Sequence, residues 1–203
     1  MSIQTVATKL LFKLPRTILN RIIKSDPKDV ERKNNLEKPW HLKGNWAPVK
    51  DQISIDNLEV KGEIPKEIDG MYIRNGMNPV SGHSDHWFFG NGMLHGINIS
   101  NGKASYKNKY VRTPYFEKDM GMMESSFDLR ASPANTHIIK HGGKILALEE
   151  AHLPWSVDKN LDTIDSYDFG GKLNGPMTAH PRACPETGEL LFFGYQIMKK
   201  PYL

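Results

Sequence analysis

Cysteine is nearly absent from the sequence, because Cys184 is the one cysteine among 203 residues. A lone cysteine excludes an intramolecular disulfide and a zinc site built from several thiolates. A free thiol is typical of a reducing compartment, which indicates a cytoplasmic protein. Since thiolate sites are excluded, the eight histidines are the expected ligands for any transition metal.

Long hydrophobic runs are also missing. No apolar segment reaches the roughly 20 residues that a transmembrane helix needs. No apolar core with a small-residue cleavage site follows Met1, so a secretory signal peptide is not indicated. We therefore expect a cytoplasmic protein whose contact with a membrane, if it makes one, is peripheral.

Acidic residues are absent from residues 1–24, which contain five basic residues. Apolar residues recur there at steps of three and four, which predicts a basic amphipathic helix that Pro15 kinks or divides in two. Such a helix is typical of a segment lying in a membrane surface, and the alternatives are a helix packed on the main domain and an organelle presequence. Because much of the net charge of +4 sits here, no nucleic-acid surface is predicted.

Residues 25–39 are polar, charged and bounded by prolines, which predicts a linker and a domain that begins near Trp40. Beyond Trp40, short apolar runs alternate with Asn-Gly and Gly-Gly turns, as they do in β-hairpins. This pattern predicts an all-β fold and leaves a sandwich, a barrel and a propeller open. The predicted strands cover residues 58–60, 71–73, 86–89, 94–99, 104–112, 137–140, 144–149 and 190–195.

His180 is the candidate metal ligand, because it lies between two predicted strands, where strand ends place functional side chains. The alternative is a histidine that only makes structural hydrogen bonds. His83 and His86 have His-x-x-His spacing, but they lie in a turn rich in Gly, Ser and Asp, and such spacing arises easily by accident. Phosphate-binding glycine loops and a Gly-x-Ser-x-Gly elbow are missing, which disfavours nucleotide and hydrolase chemistry.

Glu149 and Glu150 close a predicted strand, whose alternation sends their side chains to opposite faces. At most one of them is expected to point inward, where it could accept the second ring N–H of a metal-binding histidine. The commoner alternative is that both carboxylates are solvated.

Several short motifs follow one another in a fixed order, and the order is more specific than any single motif. The motifs are Tyr72-Ile73-Arg74-Asn75-Gly76-Met77-Asn78-Pro79, His86-Trp87-Phe88-Phe89-Gly90-Asn91-Gly92-Met93-Leu94-His95-Gly96, Tyr110-Val111-Arg112-Thr113, Asn135-Thr136-His137-Ile138-Ile139, Ala147-Leu148-Glu149-Glu150-Ala151, Asp168-Phe169-Gly170-Gly171-Lys172-Leu173 and Thr178-Ala179-His180-Pro181. In this order they resemble the carotenoid cleavage oxygenase family, also called the retinal pigment epithelial membrane protein family, over roughly residues 45–203.

The resemblance implies a seven-bladed β-propeller that holds Fe(II) on its axis with four histidines, behind which stand three glutamates. It also implies a dioxygenase that uses O2 to split a conjugated C=C bond of a carotenoid, apocarotenoid or stilbene into two carbonyl products. By position in the motifs, His180 matches the first iron ligand and Glu150 the first of the glutamates, whereas His95 matches a position that is not a ligand. Relatives dock on membranes, which would give residues 1–24 a purpose.

Two features depart from the family pattern. Asn91 stands where the family usually has Asp, and Cys184 stands in a turn that usually carries a small polar residue. The chain is also short for a complete propeller, so only N-terminal blades are expected, without the other three histidines and two glutamates. Two other functions stay open: an isomerohydrolase of retinyl esters within the same family, and a non-catalytic β-propeller-derived binding module.

Overall fold

The structure, a computed structural model, describes residues 38–194. The predicted helix at 1–24 and nearly all of the predicted linker at 25–39 lie outside these residues. The chain divides into two compact units at Lys43 and Gly44. The described part of the first unit contains a 3-10 turn, Trp40–Leu42. Within residues 38–194, no helix combines the length and the apolar character needed to cross a membrane.

The second unit begins with a 3-10 turn, Gly44–Trp46, and its described part is built mainly from β-strands. Two four-stranded antiparallel sheets have the orders β1-β4-β3-β2 and β5-β6-β7-β8, and β9 pairs with β10. The all-β prediction is confirmed. The elements are β1 Ser54–Ile55, β2 Gly70–Met77, β3 Gly92–Ser100, β4 Lys103–Tyr110, α1 Pro114–Glu117, α2 Met122–Ser125, β5 His137–His141, β6 Lys144–Leu148, β7 Trp155–Val157, β8 Thr163–Ser166, β9 Arg182–Ala183 and β10 Leu190–Leu191.

Two tight turns set the register of the sheets. Asn101 and Gly102 connect β3 to β4 with φ of 50° and 73°, and Gly142 and Gly143 connect β5 to β6 with φ of 54° and 75°. Two consecutive residues with positive φ form the hairpin turn that matches strand twist, and Asn and Gly adopt it most easily. The two dipeptides therefore form the hairpins that the sequence predicts.

The predicted strand at residues 86–89 is wrong, because this segment is a turn. The Ser84 hydroxyl oxygen lies 2.7 Å from the carbonyl oxygen of His86 and 2.6 Å from that of Phe89. The Phe88 amide donates to His86 Nδ1 at 3.2 Å. Such local side-chain bonds satisfy the backbone without a neighbouring strand. The predicted strand at 58–60 is also wrong, and the strand that pairs with β4 is Ser54–Ile55.

Two buried asparagines attach the incoming chain to the first sheet. Asn108 accepts the Ile53 amide at 2.7 Å and donates to the Asp51 carbonyl at 2.9 Å. Asn78 makes the same pair of bonds with Val49, at 2.7 Å and 2.9 Å. A side-chain amide that offers one donor and one acceptor in this way replaces a strand partner.

The two sheets are joined where β2 lies near the start of β5. Asn75 Nδ2 donates to the carbonyls of Ala134 and His137, at 2.9 Å each, and the Gly92 amide donates to the Pro133 carbonyl at 2.8 Å. Around this junction both sheets share one hydrophobic core, formed by Leu94, Val111, Ala134, Ala147, Trp155, Val157 and Leu161.

His152 and Glu149 form a buried, hydrogen-bonded pair in the segment after β6. His152 Nδ1 lies 2.5 Å from Glu149 Oε2, and the two side chains are 1% and 10% exposed. The other ring nitrogen lies 3.1 Å from the Ser125 carbonyl oxygen. The pair therefore fastens the segment after β6 to the end of α2.

Gly92→Ala is expected to destabilise the protein, because an added Cβ would lie 2.1 Å from the Ala134 carbonyl oxygen at the junction of the sheets. Overpacking of this kind costs about 1–3 kcal/mol of the free energy of unfolding. Gly70→Ala is the matched control, since Gly70 also begins a strand but has no heavy atom within 4 Å of an added Cβ. Equal apparent melting temperatures for the two variants would contradict this account.

His152→Ala is expected to lower the free energy of unfolding by about 3–5 kcal/mol, because it leaves the Glu149 carboxylate buried without its partner. His83→Ala serves as the control, since His83 Nε2 contacts Asp85 through side chains that are 45% and 61% exposed. Such an exposed pair contributes about 0–1 kcal/mol. Chemical denaturation measures both variants, and a His152→Ala loss no larger than that of His83→Ala would refute the assignment.

Candidate metal centre

The two residues before His180 are buried beside β6. Thr178 and Ala179 are buried, at 1% and 0% exposure, and Ala179 packs in a second hydrophobic core with Leu146 and Leu148 of β6. The Thr178 amide donates to the Phe193 carbonyl at 2.8 Å. His180 therefore follows a fixed stretch of chain, although its own side chain is 68% exposed.

Glu150 makes three contacts with this segment. One carboxylate oxygen accepts the Thr178 hydroxyl at 3.0 Å and the Ala179 amide at 3.2 Å. The other lies 3.0 Å from His180 Nε2. The structure thus brings together the two residues that the family resemblance selects, His180 and Glu150, and the carboxylate is positioned to accept a ring N–H.

The neighbouring carboxylates point to different histidines. Glu149 contacts His152 in the core, and Glu150 contacts His180 at the more exposed site. Both residues lie beyond the end of β6 at Leu148, so strand alternation does not account for this divergence. The alternative in which both carboxylates are solvated is wrong, since the side chains of Glu149 and Glu150 are 10% and 28% exposed.

His137 is a third residue of this site, although no role for it is predicted from the sequence. Its Nδ1 lies 2.7 Å from the Ala179 carbonyl oxygen. Its ring stacks on that of His180, with centroids 6.1 Å apart and planes inclined by 26°. The sequence does contain a signal for His137. The two-residue turn between β5 and β6 sets the hairpin register, and this register pairs His137 with Leu148, the residue just before Glu149 and Glu150.

The two histidines of the His-x-x-His pair make separate local contacts. His83 Nε2 contacts Asp85 at 3.2 Å on the surface, and His86 uses Nδ1 to accept the Phe88 amide. Within residues 38–194, no group of three or more His, Cys, Asp or Glu side chains is arranged to hold a metal ion.

His95, which matches a non-ligand position of the family, is engaged within the first sheet. Its Nδ1 lies 2.8 Å from the Tyr106 hydroxyl. Burial, helped by the positive charge of Arg74, lowers the pKa of His95 below its ordinary value. The ring is therefore a neutral partner of Tyr106 rather than a surface cation.

The large aromatic residues near the two sheets have different surroundings. Trp155 belongs to the core, and its indole N–H donates to the Arg130 carbonyl at 2.9 Å. Trp87 and Phe88 line a cavity of about 230 Å³ together with Trp46 and Asn75. In the described part of the chain, the buried Asn75 Oδ1 has no hydrogen-bond partner.

The two departures from the family pattern are accommodated locally. Asn91 Oδ1 accepts the Val80 amide at 3.2 Å, which is the acceptor function that Asp would have. Cys184 lies in the turn between β9 and β10, where the Thr187 hydroxyl holds the pKa of its thiol below the ordinary value. Neither residue contacts the site around His180.

The comparisons with known proteins agree with these features. The family model for the retinal pigment epithelial membrane protein matches residues 46–203. A Mycobacterium tuberculosis protein named carotenoid cleavage oxygenase is 38% identical over 170 residues, which cover 78% of this chain and 34% of that protein. Carotenoid 9,10(9',10')-cleavage dioxygenase 1 of Arabidopsis thaliana is 34% identical over 204 residues, covering 81% of this chain and 37% of that protein.

Solved structures give the same result for the fold. The Pseudomonas brassicacearum lignostilbene dioxygenase superposes with a TM-score of 0.67 at 30% identity, covering 79% of this chain and 38% of that one. A Synechocystis apocarotenoid oxygenase superposes with a TM-score of 0.61 at 27% identity, covering 73% and 38%. The two sheets are thus part of a β-propeller, as predicted.

The chain spans about a third of the length of the curated relatives it matches. The match nevertheless covers most of this chain, and the matched range contains the positions of all the motifs. The chain therefore belongs to the retinal pigment epithelial membrane protein family.

Proposed function

We propose that this chain is the N-terminal part of a non-haem Fe(II) dioxygenase. The complete protein uses O2 to cleave a conjugated C=C bond of a carotenoid, apocarotenoid or related stilbene, giving two carbonyl products. The observation that carries the proposal is the 3.0 Å contact between His180 Nε2 and Glu150 at the end of a fixed segment. The names of the relatives, which include carotenoid and lignostilbene dioxygenases, support the class of substrate.

The residues at this site fit an Fe(II) ion in their chemistry. Imidazole nitrogen is a ligand that suits iron, and a ligating histidine usually donates its other ring N–H to a carboxylate. His180 offers an exposed imidazole, and Glu150 offers the carboxylate beside it. One nitrogen of His180 would bind the metal, and Glu150 would accept the N–H of an iron-binding imidazole. When bound, Fe(II) supplies the redox chemistry that activates O2.

The chain's own residues orient this ligand. The Thr178 hydroxyl oxygen lies within hydrogen-bond distance of both the His180 amide and Glu150, at 3.2 Å and 3.0 Å. The Ala179 amide contacts the same carboxylate. A ligand whose backbone and acceptor are both fixed loses little freedom when it binds metal, which strengthens binding.

The described residues supply one of the four histidine ligands in this proposal. The other three histidines and two glutamates come from outside residues 38–194. The basic amphipathic segment at 1–24 would place a cytoplasmic enzyme at a membrane surface, where insoluble polyenes reside.

Product analysis tests the activity directly. The protein expressed from the complete reading frame is expected to consume O2 and to release two aldehydes or ketones from an apocarotenoid or a stilbene. His180→Ala is expected to lose bound iron and activity together, and Glu150→Gln to weaken iron binding about 10–100-fold. Iron is measured by metal analysis, and products are measured by mass spectrometry.

His83→Ala is the matched control for this experiment, because it removes an exposed histidine without a role at the site. Unaltered iron content in His180→Ala would overturn the ligand assignment. A retinol product without O2 consumption would show an isomerohydrolase, and carotenoid binding without any product would show a binding module.

The 203-residue chain by itself is expected to be prone to aggregation and to lack stoichiometric iron. A propeller protects its sheet edges by closing its ring, and a single histidine ligand does not retain a metal ion. Size-exclusion chromatography and metal analysis check both properties. A soluble, monomeric preparation with one tightly held iron per chain would refute this expectation.

A further inference from the structure

We infer that His137 is a positioning residue for His180, which fixes the peptide bond that leads into the iron ligand. This inference rests on the proposed function, because it assigns a purpose to a residue beside the proposed ligand. His137 begins β5 and reaches the Ala179 carbonyl oxygen across 2.7 Å. Neither its motif position nor its spacing marks it as a ligand.

The bond to Ala179 defines how the His137 ring is protonated. A carbonyl oxygen only accepts hydrogen bonds, so Nδ1 carries the hydrogen in this contact. The donor and the acceptor are both fixed, because His137 lies in a strand and Ala179 is fully buried. The hydrogen bond is therefore part of the frame around the site.

The peptide group between Ala179 and His180 is held at both of its polar atoms. Its carbonyl oxygen accepts from His137 Nδ1 at 2.7 Å, and its amide donates to the Thr178 hydroxyl oxygen at 3.2 Å. Since a peptide group is planar, fixing both atoms fixes the plane from which the His180 side chain departs. Glu150 adds a bond to the Ala179 amide, on the preceding peptide group.

His137 also limits the movement of the His180 ring directly. The two rings stack at 6.1 Å with an inclination of 26°, a separation within the range of favourable ring pairs. The His180 ring thus has His137 against one face and Glu150 at its edge. An exposed side chain gains a defined orientation from these two contacts.

His137 is itself well anchored. Its carbonyl oxygen accepts from Asn75 Nδ2 at 2.9 Å, and its strand pairs with β6 through the register His137 to Leu148. The position of His180 is thereby tied to the junction of the two sheets. This arrangement satisfies the requirement that a ligand be held by groups which are themselves locked.

The hydrogen bond of Nδ1 gives His137 its positioning role. That nitrogen carries the hydrogen of the bond to the Ala179 carbonyl oxygen, so it offers no lone pair to a metal ion.

Two substitutions separate the hydrogen bond from the stacking contact. His137→Phe keeps an aromatic ring against His180 but removes the donor, and His137→Asn places an amide N–H where Nδ1 stands. In the protein from the complete reading frame, His137→Phe is expected to weaken Fe(II) binding about 10–100-fold, the usual effect of losing a group that orients a ligand. His137→Asn is expected to retain most of the affinity.

The measurement is the Fe(II) dissociation constant by chelator competition, with the visible absorption of the Co(II)-loaded protein as a second readout. A purely structural role would lower the melting temperature of both variants and leave the metal affinity of the folded fraction unchanged, which would overturn the inference. Equal affinity in His137→Asn and His137→Phe would also overturn it. His137→Leu removes the donor in a smaller side chain and replaces His137→Phe if the latter is insoluble.

His180→Ala, measured in parallel, distinguishes the two levels of the proposal. Loss of iron in His180→Ala with wild-type affinity in His137→Phe would refute the role of His137 and leave the proposed function standing. Wild-type iron content in His180→Ala would refute the ligand assignment on which both depend.

Discussion

One side-chain amide makes two hydrogen bonds across the junction of the two sheets. Asn75 donates to two carbonyl oxygens at the start of the second sheet, from a position in β2. One of those carbonyls belongs to His137, so the same amide determines where β5 begins relative to the first sheet. Because buried backbone oxygens need donors, this amide replaces the ladder that adjacent strands would otherwise share. The core between the sheets and the site beside β5 both adjoin these hydrogen bonds.

The end of β6 connects the fold to the site. Its last residues pack in the second hydrophobic core, and the next two residues, Glu149 and Glu150, contact different histidines. Burial dominates at Glu149, where the carboxylate and imidazole are nearly inaccessible. Partial exposure at Glu150 leaves its imidazole partner accessible to a metal ion. Two adjacent carboxylates therefore have different chemistry because their surroundings differ in depth.

The sequence predicts the hairpins better than it predicts the loops. Asn101-Gly102 and Gly142-Gly143 are local signals, since their positive φ is required by the turn itself. Residues 86–89 have the composition of a strand, but the hydroxyl of Ser84 makes them a turn, and composition does not report such a bond. The hydrogen bonds that Asn78 and Asn108 make to the incoming chain are equally hard to predict from local sequence, because their partners lie 29 to 57 residues away. The ordered motifs, rather than local pattern, identify His180 and Glu150 as site residues. His137 lies in one of these motifs, but the resemblance assigns it no role.

Adjacent residues at the end of β6 have different purposes, because Glu149 supports the fold and Glu150 supports the site. Glu149 and His152 stabilise the same strand end from which Glu150 reaches His180. A change at position 149 or 152 would thus be recorded as loss of activity, although neither residue touches the proposed iron ligand. A substitution at either position is primarily a folding defect, so low temperature or stabilising substitutions elsewhere should restore activity. A substitution of His180 removes the proposed ligand itself, and neither treatment should restore activity.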